Sequence, residues 1–157
     1  MKIRELMNSK PTYCTPYWTT EALAALMQHA GTGIIPVVED ILRRKLVGVV
    51  TDRDLCLRVV AAGEYPAHVW VNSCMTRDPV SCRPDDTVET ALQLMSDKRV
   101  RRLPVVDDHM QLQGMVSISD FVRSGAAGIN PVYSALKEIC KPCVETGQRE
   151  AEIPLAA

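Results

Sequence analysis

Gly48-Val49-Val50-Thr51-Asp52-Arg53-Asp54 and Gly114-Met115-Val116-Ser117-Ile118-Ser119-Asp120 share one pattern: glycine, two apolar residues, a hydroxyl residue, two variable positions and an aspartate. An apolar run meeting a hydroxyl residue reads as a strand that ends at a helix N-cap, with the aspartate in the first helical turn. The correspondence extends upstream. Pro36-Val37-Val38 precedes the first copy as Pro104-Val105-Val106 precedes the second, and Pro11-Thr12-Tyr13-Cys14-Thr15-Pro16 aligns with Pro79-Val80-Ser81-Cys82-Arg83-Pro84. Between them Thr19 matches Thr87, Leu26 matches Leu94 and Met27 matches Met95 at one constant offset, which shortens only inside the charged turn after Pro-Val-Val. Ordered matches of this kind mean an internal duplication, and the chain is read as two copies of one βαββα unit.

Each unit begins with a short extended segment closed by proline. A helix follows: Asp86-Thr87-Val88-Glu89 has the form of an N-cap with a capping-box glutamate, and Val88, Ala91, Leu92 and Met95 fall on one face. The first unit places Leu23, Ala24 and Met27 on the matching face. Ile34–Val38 with Leu46–Val50, and Leu103–Val106 with Leu112–Val116, read as hairpins across polar turns. The proline in each first strand suits an edge or a strand start. A second helix over 53–62 stops at Gly63. The organisation is therefore repeat 1 over 1–62, a linker over 63–70, repeat 2 over 71–123 and a tail over 124–157 with one helix near Val132 to Ile139.

Composition narrows the function. The 157 residues are 46% hydrophobic and 24% charged, with 18 Lys and Arg against 19 Asp and Glu. A net charge of −1 removes the electrostatic basis for general nucleic-acid or membrane-surface binding. The N-terminus lacks an apolar leader core and no run is long enough for a membrane span, so a cytoplasmic setting with reduced cysteines is expected. Cys140-Lys141-Pro142-Cys143 is a lone CxxC; a zinc site shared across a dimer, a redox pair and ordinary tail cysteines all stand as readings, the last being the usual case. No nucleophile–base pair or paired carboxylates stand out, so neither an enzyme nor a catalytic cofactor nor a metal is expected.

At the two Gly-x-x-Thr/Ser-x-x-Asp motifs the chain resembles a tandem pair of CBS domains, the arrangement called a Bateman module. The resemblance is carried by Pro79-Val80, Thr87, Ala91, Met95, Arg102 through Asp107, Gly114, Ser117 and Asp120, by Pro36-Val37-Val38, Gly48, Thr51 and Asp54, and by the lead-ins Ile3–Met7 and Val71–Thr76. It implies an α+β fold, an α/β sandwich in which the two repeats pack with pseudo-twofold symmetry, and a regulatory module binding AMP, ADP or ATP between them. S-adenosylmethionine, NAD or a cyclic dinucleotide are the alternative ligands, and a ligand-free dimerisation protein is the alternative role. It also implies two equivalent clefts. The first would join Thr51, Arg53 and Asp54 with Val80, Ser81, Val100, Arg101, Arg102 and Leu103. The second would join Ser117, Ser119 and Asp120 with Thr12, Tyr13, Gly33, Ile34 and Ile35.

The chemistry of the motif is readable beside the family. A first-turn carboxylate is favoured by the helix N-terminus and accepts two hydrogen bonds, which suits vicinal ribose hydroxyls. Free N–H groups at the same turn attract anions. The same residues also make ordinary helix caps, and both readings stand. Arg101, Arg102 and Arg53 suit a phosphate chain or simple surface charge. Because Gly33-Ile34-Ile35 replaces Arg101-Arg102-Leu103, the second cleft is expected to lack phosphate contacts. Gly48 and Gly114 are read as points where a ligand or neighbour comes close. A homodimer is expected, with Tyr17-Trp18 or Trp70 as anchors or as internal packing.

Overall fold

The computed structural model describes residues 1–141. Helix α1 (Thr20–Ala30) begins where Thr19 Oγ1 accepts the Ala22 N–H at 3.2 Å and ends at Gly31, φ 61°. Its counterpart α4 (Val88–Lys98) is capped by Thr87 through the Thr90 N–H and ends at Arg99, φ 53°, a left-handed position filled without glycine. Val88, Ala91, Leu92 and Met95 are buried as the periodicity requires. On α1 the buried stripe runs through Thr20, Leu23 and Met27, and Ala24 is exposed. The reason is the start of the helix: Thr20 Oγ1 donates to the Pro66 carbonyl (2.9 Å) and its N–H to that of Val69 (2.8 Å), which turns Thr20 inward against the linker.

Strands β1 (Ile34–Val38) and β2 (Leu46–Thr51) form one antiparallel hairpin, β4 (Arg102–Val106) and β5 (Leu112–Ser117) the other, each with a bulge before the last valine of its first strand. Pro36 does not sit on a free edge, since Cys14 bridges β1 on the side away from β2. The Cys14 N–H donates to the Pro36 carbonyl at 3.1 Å, so the missing proline N–H faces that same side, where pairing is a single bridge, and no bond to β2 is lost. Cys82 and Pro104 repeat the arrangement.

The lead-ins are exchanged. Helix α3 (Val71–Cys74) and strand β3 (Thr76–Arg77), which open repeat 2 in sequence, pack on repeat 1, β3 pairing with β2. The 3-10 turn Ile3–Glu5 and the Asn8–Met115 bridge dock the N-terminus on repeat 2, where Ile3 joins the core of Val88, Met95, Leu103 and Phe121. The motif glycines exist for this exchange. A Cβ at Gly48 would stand 2.9 Å from the Thr76 carbonyl, and one at Gly114 only 2.7 Å from that of Asn8. Of the two sequence readings of these glycines, close neighbour or close ligand, the neighbour is the one observed.

The two hairpins meet at their turns. Leu46 N–H donates to the Met110 carbonyl (2.8 Å) and Leu112 N–H to the Arg44 carbonyl (2.9 Å). Leu46 and Leu112 are equivalent positions, as are Arg44 and Met110, so the same bond is made in both directions across a local two-fold. Val38, Leu46, Val106 and Leu112 form a small core beneath it.

The second helices differ. In repeat 1, α2 (Asp52–Leu55) widens into a π turn over Cys56–Val60, and Val59 is buried while Val60 is 69% exposed. In repeat 2, α5 (Ile118–Ser124) stays regular and stops at Gly125. Helix α6 (Ile129–Ile139) starts slightly before the expected segment and lies along α4, burying Val132 and Ala135. Among the described residues no helix is long and apolar enough to cross a membrane.

Candidate functional site

The two motif carboxylates are held alike. Thr51 N–H and Oγ1 donate to Asp54 Oδ2 at 2.9 and 2.8 Å, and the Asp54 N–H returns a bond to Thr51 Oγ1 at 3.1 Å. Ser117 N–H and Oγ donate to Asp120 Oδ2 at 2.8 and 2.6 Å. In each repeat one carboxylate oxygen therefore closes the helix cap. The other faces an arginine further along the helix: Arg58 Nε lies 3.8 Å from Asp54 Oδ1, and Arg123 pairs with Asp120 Oδ1. The Arg123 side chain is largely exposed, so its pair is readily exchanged for a ligand donor, whereas Arg58 is also held by the Cys74 carbonyl, which accepts from Nη1 at 3.1 Å. Capping and ligand binding are thus compatible, because they use different oxygens.

A cleft of about 160 Å³ brings Ser117 and Asp120 of repeat 2 together with Thr12 and Ile34 of repeat 1. This is the second of the two clefts read from the sequence. Its remaining walls include Asn8, Pro11, Ala30, Thr32, Pro36 and Met115, and also Arg102. Arg102, read from the sequence as part of the first cleft, thus lines this one. The residue pairs directly with Ser117 in the β4–β5 register, and from that position it reaches the cleft of its own hairpin.

Strand alternation sorts the other sequence candidates. Ile34 faces the cleft, so Ile35 points the opposite way and is fully buried in the repeat 1 core. Leu103 is likewise buried in the repeat 2 core, and neither side chain is free to flank a ligand ring. Tyr13 packs against the small core at the hairpin turns. Gly33 lies against Asp52: its carbonyl accepts the Asp52 N–H at 3.0 Å, and a Cβ there would stand 2.5 Å from the Asp52 carboxylate. Ser119 and Arg53 are exposed. Of the residues read into the first cleft, Val80 and Val100 are half-buried against the repeat 2 core and Ser81 is half-buried. Arg101 is exposed and its guanidinium reaches Cys140 Sγ at the end of α6, 3.6 Å away.

Sequence reasoning missed Asn8 and Thr32. Thr32 follows the Gly31 helix stop, and its Oγ1 donates to the Ile34 carbonyl at 3.2 Å, which places a hydroxyl at the cleft entrance. Asn8 directly follows the lead-in Ile3–Met7 and carries no motif signal of its own.

The buried thiols are inert. Burial pushes Cys14 and Cys82 up to about 12 and raises Cys74 as well. Cys140 is exposed, and Cys143 lies outside the described residues. Among the described residues no cluster of three or more His, Cys, Asp and Glu side chains is placed to hold a metal ion.

Comparison with known proteins agrees with this architecture. The family model described as CBS domain matches residues 3–61 and again 71–126. The uncharacterized protein YlbB of Bacillus subtilis is 39% identical over 119 residues, covering 76% of this chain and 78% of that protein. The crystal structure of Hypoxic Response Protein I, which holds two coordinated zinc ions, superposes with a TM-score of 0.71 at 28% identity over 78% of this chain and 98% of that one. The CBS domain pair of protein MJ0100, solved with 5′-methylthioadenosine and S-adenosyl-L-methionine, superposes with a TM-score of 0.70 over 80% of this chain and 95% of that one; at 22% identity it speaks to the fold alone. Two matched repeats with exchanged lead-ins and a Ser/Thr-x-x-Asp cap at the cleft between them place this chain in the CBS-domain family.

Proposed function

We propose that the chain is a regulatory module that binds an adenine nucleotide in the cleft between its repeats. The observation that carries this reading is that one cleft is lined by Asp120, which has an exchangeable oxygen, by the hydroxyl residues Thr12, Thr32 and Ser117, and by Arg102. A carboxylate oxygen suits a ribose diol, an arginine suits a phosphate, and the apolar Ile34, Pro36 and Met115 suit a base. S-adenosylmethionine, present with MJ0100, shares the ribose and base but brings a sulfonium where Arg102 favours an anion. Ligand binding would bias how the repeats sit, and it shifts that balance only by its difference in affinity for the two arrangements. Thermal-shift titration with AMP, ADP, ATP, NAD and S-adenosylmethionine tests the reading. A ligand at 100 times its Kd adds about 2.7 kcal/mol, and the absence of a shift with every one of them rejects it.

The chain is further proposed to work as a homodimer. Trp70 is 54% exposed, with Trp18, Tyr17 and Tyr65 also at the surface of the segments joined by the Thr19–Trp70 bridge. Light scattering at micromolar concentration tests this, a monomer mass being the contrary result.

A further inference from the structure

The turn between β1 and β2 is longer than its counterpart in repeat 2. It runs Asp40-Ile41-Leu42-Arg43-Arg44-Lys45, whereas the other turn is shorter and tucks Met110 against the small core. Asp40 sets its shape. Asp40 Oδ1 accepts the N–H groups of Leu42 at 2.8 Å and Arg43 at 2.7 Å, the Asp40 carbonyl accepts that of Arg44 at 3.0 Å, and Arg44 takes φ 53°. The tip is therefore built, and it holds Ile41 67% and Leu42 89% exposed. Arg43, Arg44 and Lys45 are exposed beside them, and among the described residues none has a carboxylate within ion-pair distance.

On the same edge lies a groove of about 630 Å³. Met7 and Pro84 are its apolar lining, and Asp85, Asp86, Asp107 and Asp108 line it as well. Arg4 and Arg83 line it too and pair with Asp85 and Asp108, and Lys2 reaches Asp85. Carboxylates still outnumber cations, and the Asp108 side chain is 96% exposed. The bonds Leu46–Met110 and Leu112–Arg44 tie the tip's base to the turn that carries Asp108, so tip and groove are side by side.

We propose that this edge is a self-association surface. The Ile41–Leu42 tip of one copy enters the acidic groove of a second copy, Arg43 meets Asp108, and the same contact is made in return. Complementary patches adjacent on one edge satisfy a two-fold, self-complementary contact. A second copy fits better than an anionic bilayer, because the carboxylates beside the tip would meet the lipid headgroups on the same approach and be repelled. The surface is independent of nucleotide binding and of the tryptophan rim.

Sedimentation velocity of the full chain at micromolar concentration and low salt is the test. Association beyond the homodimer is expected, weakened by salt, and weakened at least about tenfold by Leu42→Asp and by Arg43→Glu, with the circular dichroism of each variant unchanged. Mixing the Arg43→Glu chain with an Asp108→Arg chain should restore association, because both contacts of the mixed pair are then complementary while each variant alone is mismatched. The mixing experiment stays decisive if Leu42→Asp fails to fold. Association indifferent to these variants, no recovery on mixing, or a Leu42→Asp effect confined to binding phosphatidylserine vesicles would overturn the proposal.

Discussion

Replacing Asp120 by alanine separates the two uses of its carboxylate. The Oδ2 atom accepts two bonds from Ser117 and closes the start of α5. Losing that cap costs about 1 kcal/mol. The pair with Arg123 adds little, because the Arg123 side chain is mostly in water. The folded state should therefore lose about 1–2 kcal/mol, a shift of roughly 2–8 °C in Tm for a chain of this size. The Oδ1 atom is the one open to a ribose hydroxyl. One charge-assisted bond there is worth about 1.5–3 kcal/mol, so nucleotide affinity should fall at least about tenfold. Calorimetric titration well below the lowered Tm measures the second effect, and urea unfolding measures the first. The expected result is loss of both. Loss of stability with unchanged affinity would show that Asp120 is a cap and nothing more, and the ribose assignment would have to be abandoned.

Arg102→Ala should weaken AMP or ATP by about 1.5–3 kcal/mol while leaving adenosine nearly unaffected; equal loss for both would show that Arg102 does not meet the phosphate. Gly114→Ala places a methyl 2.7 Å from the Asn8 carbonyl, and overpacking of this kind should cost about 1–3 kcal/mol, whereas stability equal to the parent in urea would mean the lead-in is not held there. Arg99→Gly relieves a left-handed non-glycine C-cap and should stabilise by up to about 1 kcal/mol, read as a higher urea midpoint. Cys14 and Cys82, pushed up to about 12 by burial, stay neutral in the fold while their unfolded thiols ionise above about pH 9. The stability they support is therefore complete below pH 9 and declines as pH rises from there toward 12. A Cys14→Ala, Cys82→Ala double variant should lose stability less steeply over that window.

Much of the fold was legible because its signals are local and appear twice. A hydroxyl residue before an apolar helix face marks a cap wherever it stands, and a second copy in the same order excludes coincidence, so Thr19 and Thr87, both hairpins and both Ser/Thr-x-x-Asp turns were placed from the chain alone. Strand alternation was also implicit: with Ile34 at the cleft, Ile35 had to enter the core. What the chain alone left undecided depends on partners distant in sequence. Asn8 and Thr76 bear on Gly114 and Gly48 only after the lead-ins cross to the opposite repeats, and nothing within either lead-in states which hairpin it will pair with. Arg102 was assigned to the other cleft, although its backbone position opposite Ser117 carries it to its own. Local sequence determines what each segment can become, because caps, turns and apolar periodicity act within a few residues. Tertiary structure decided which segments share a cleft, because that depends on which distant backbones find unpaired edges and which buried faces fit together.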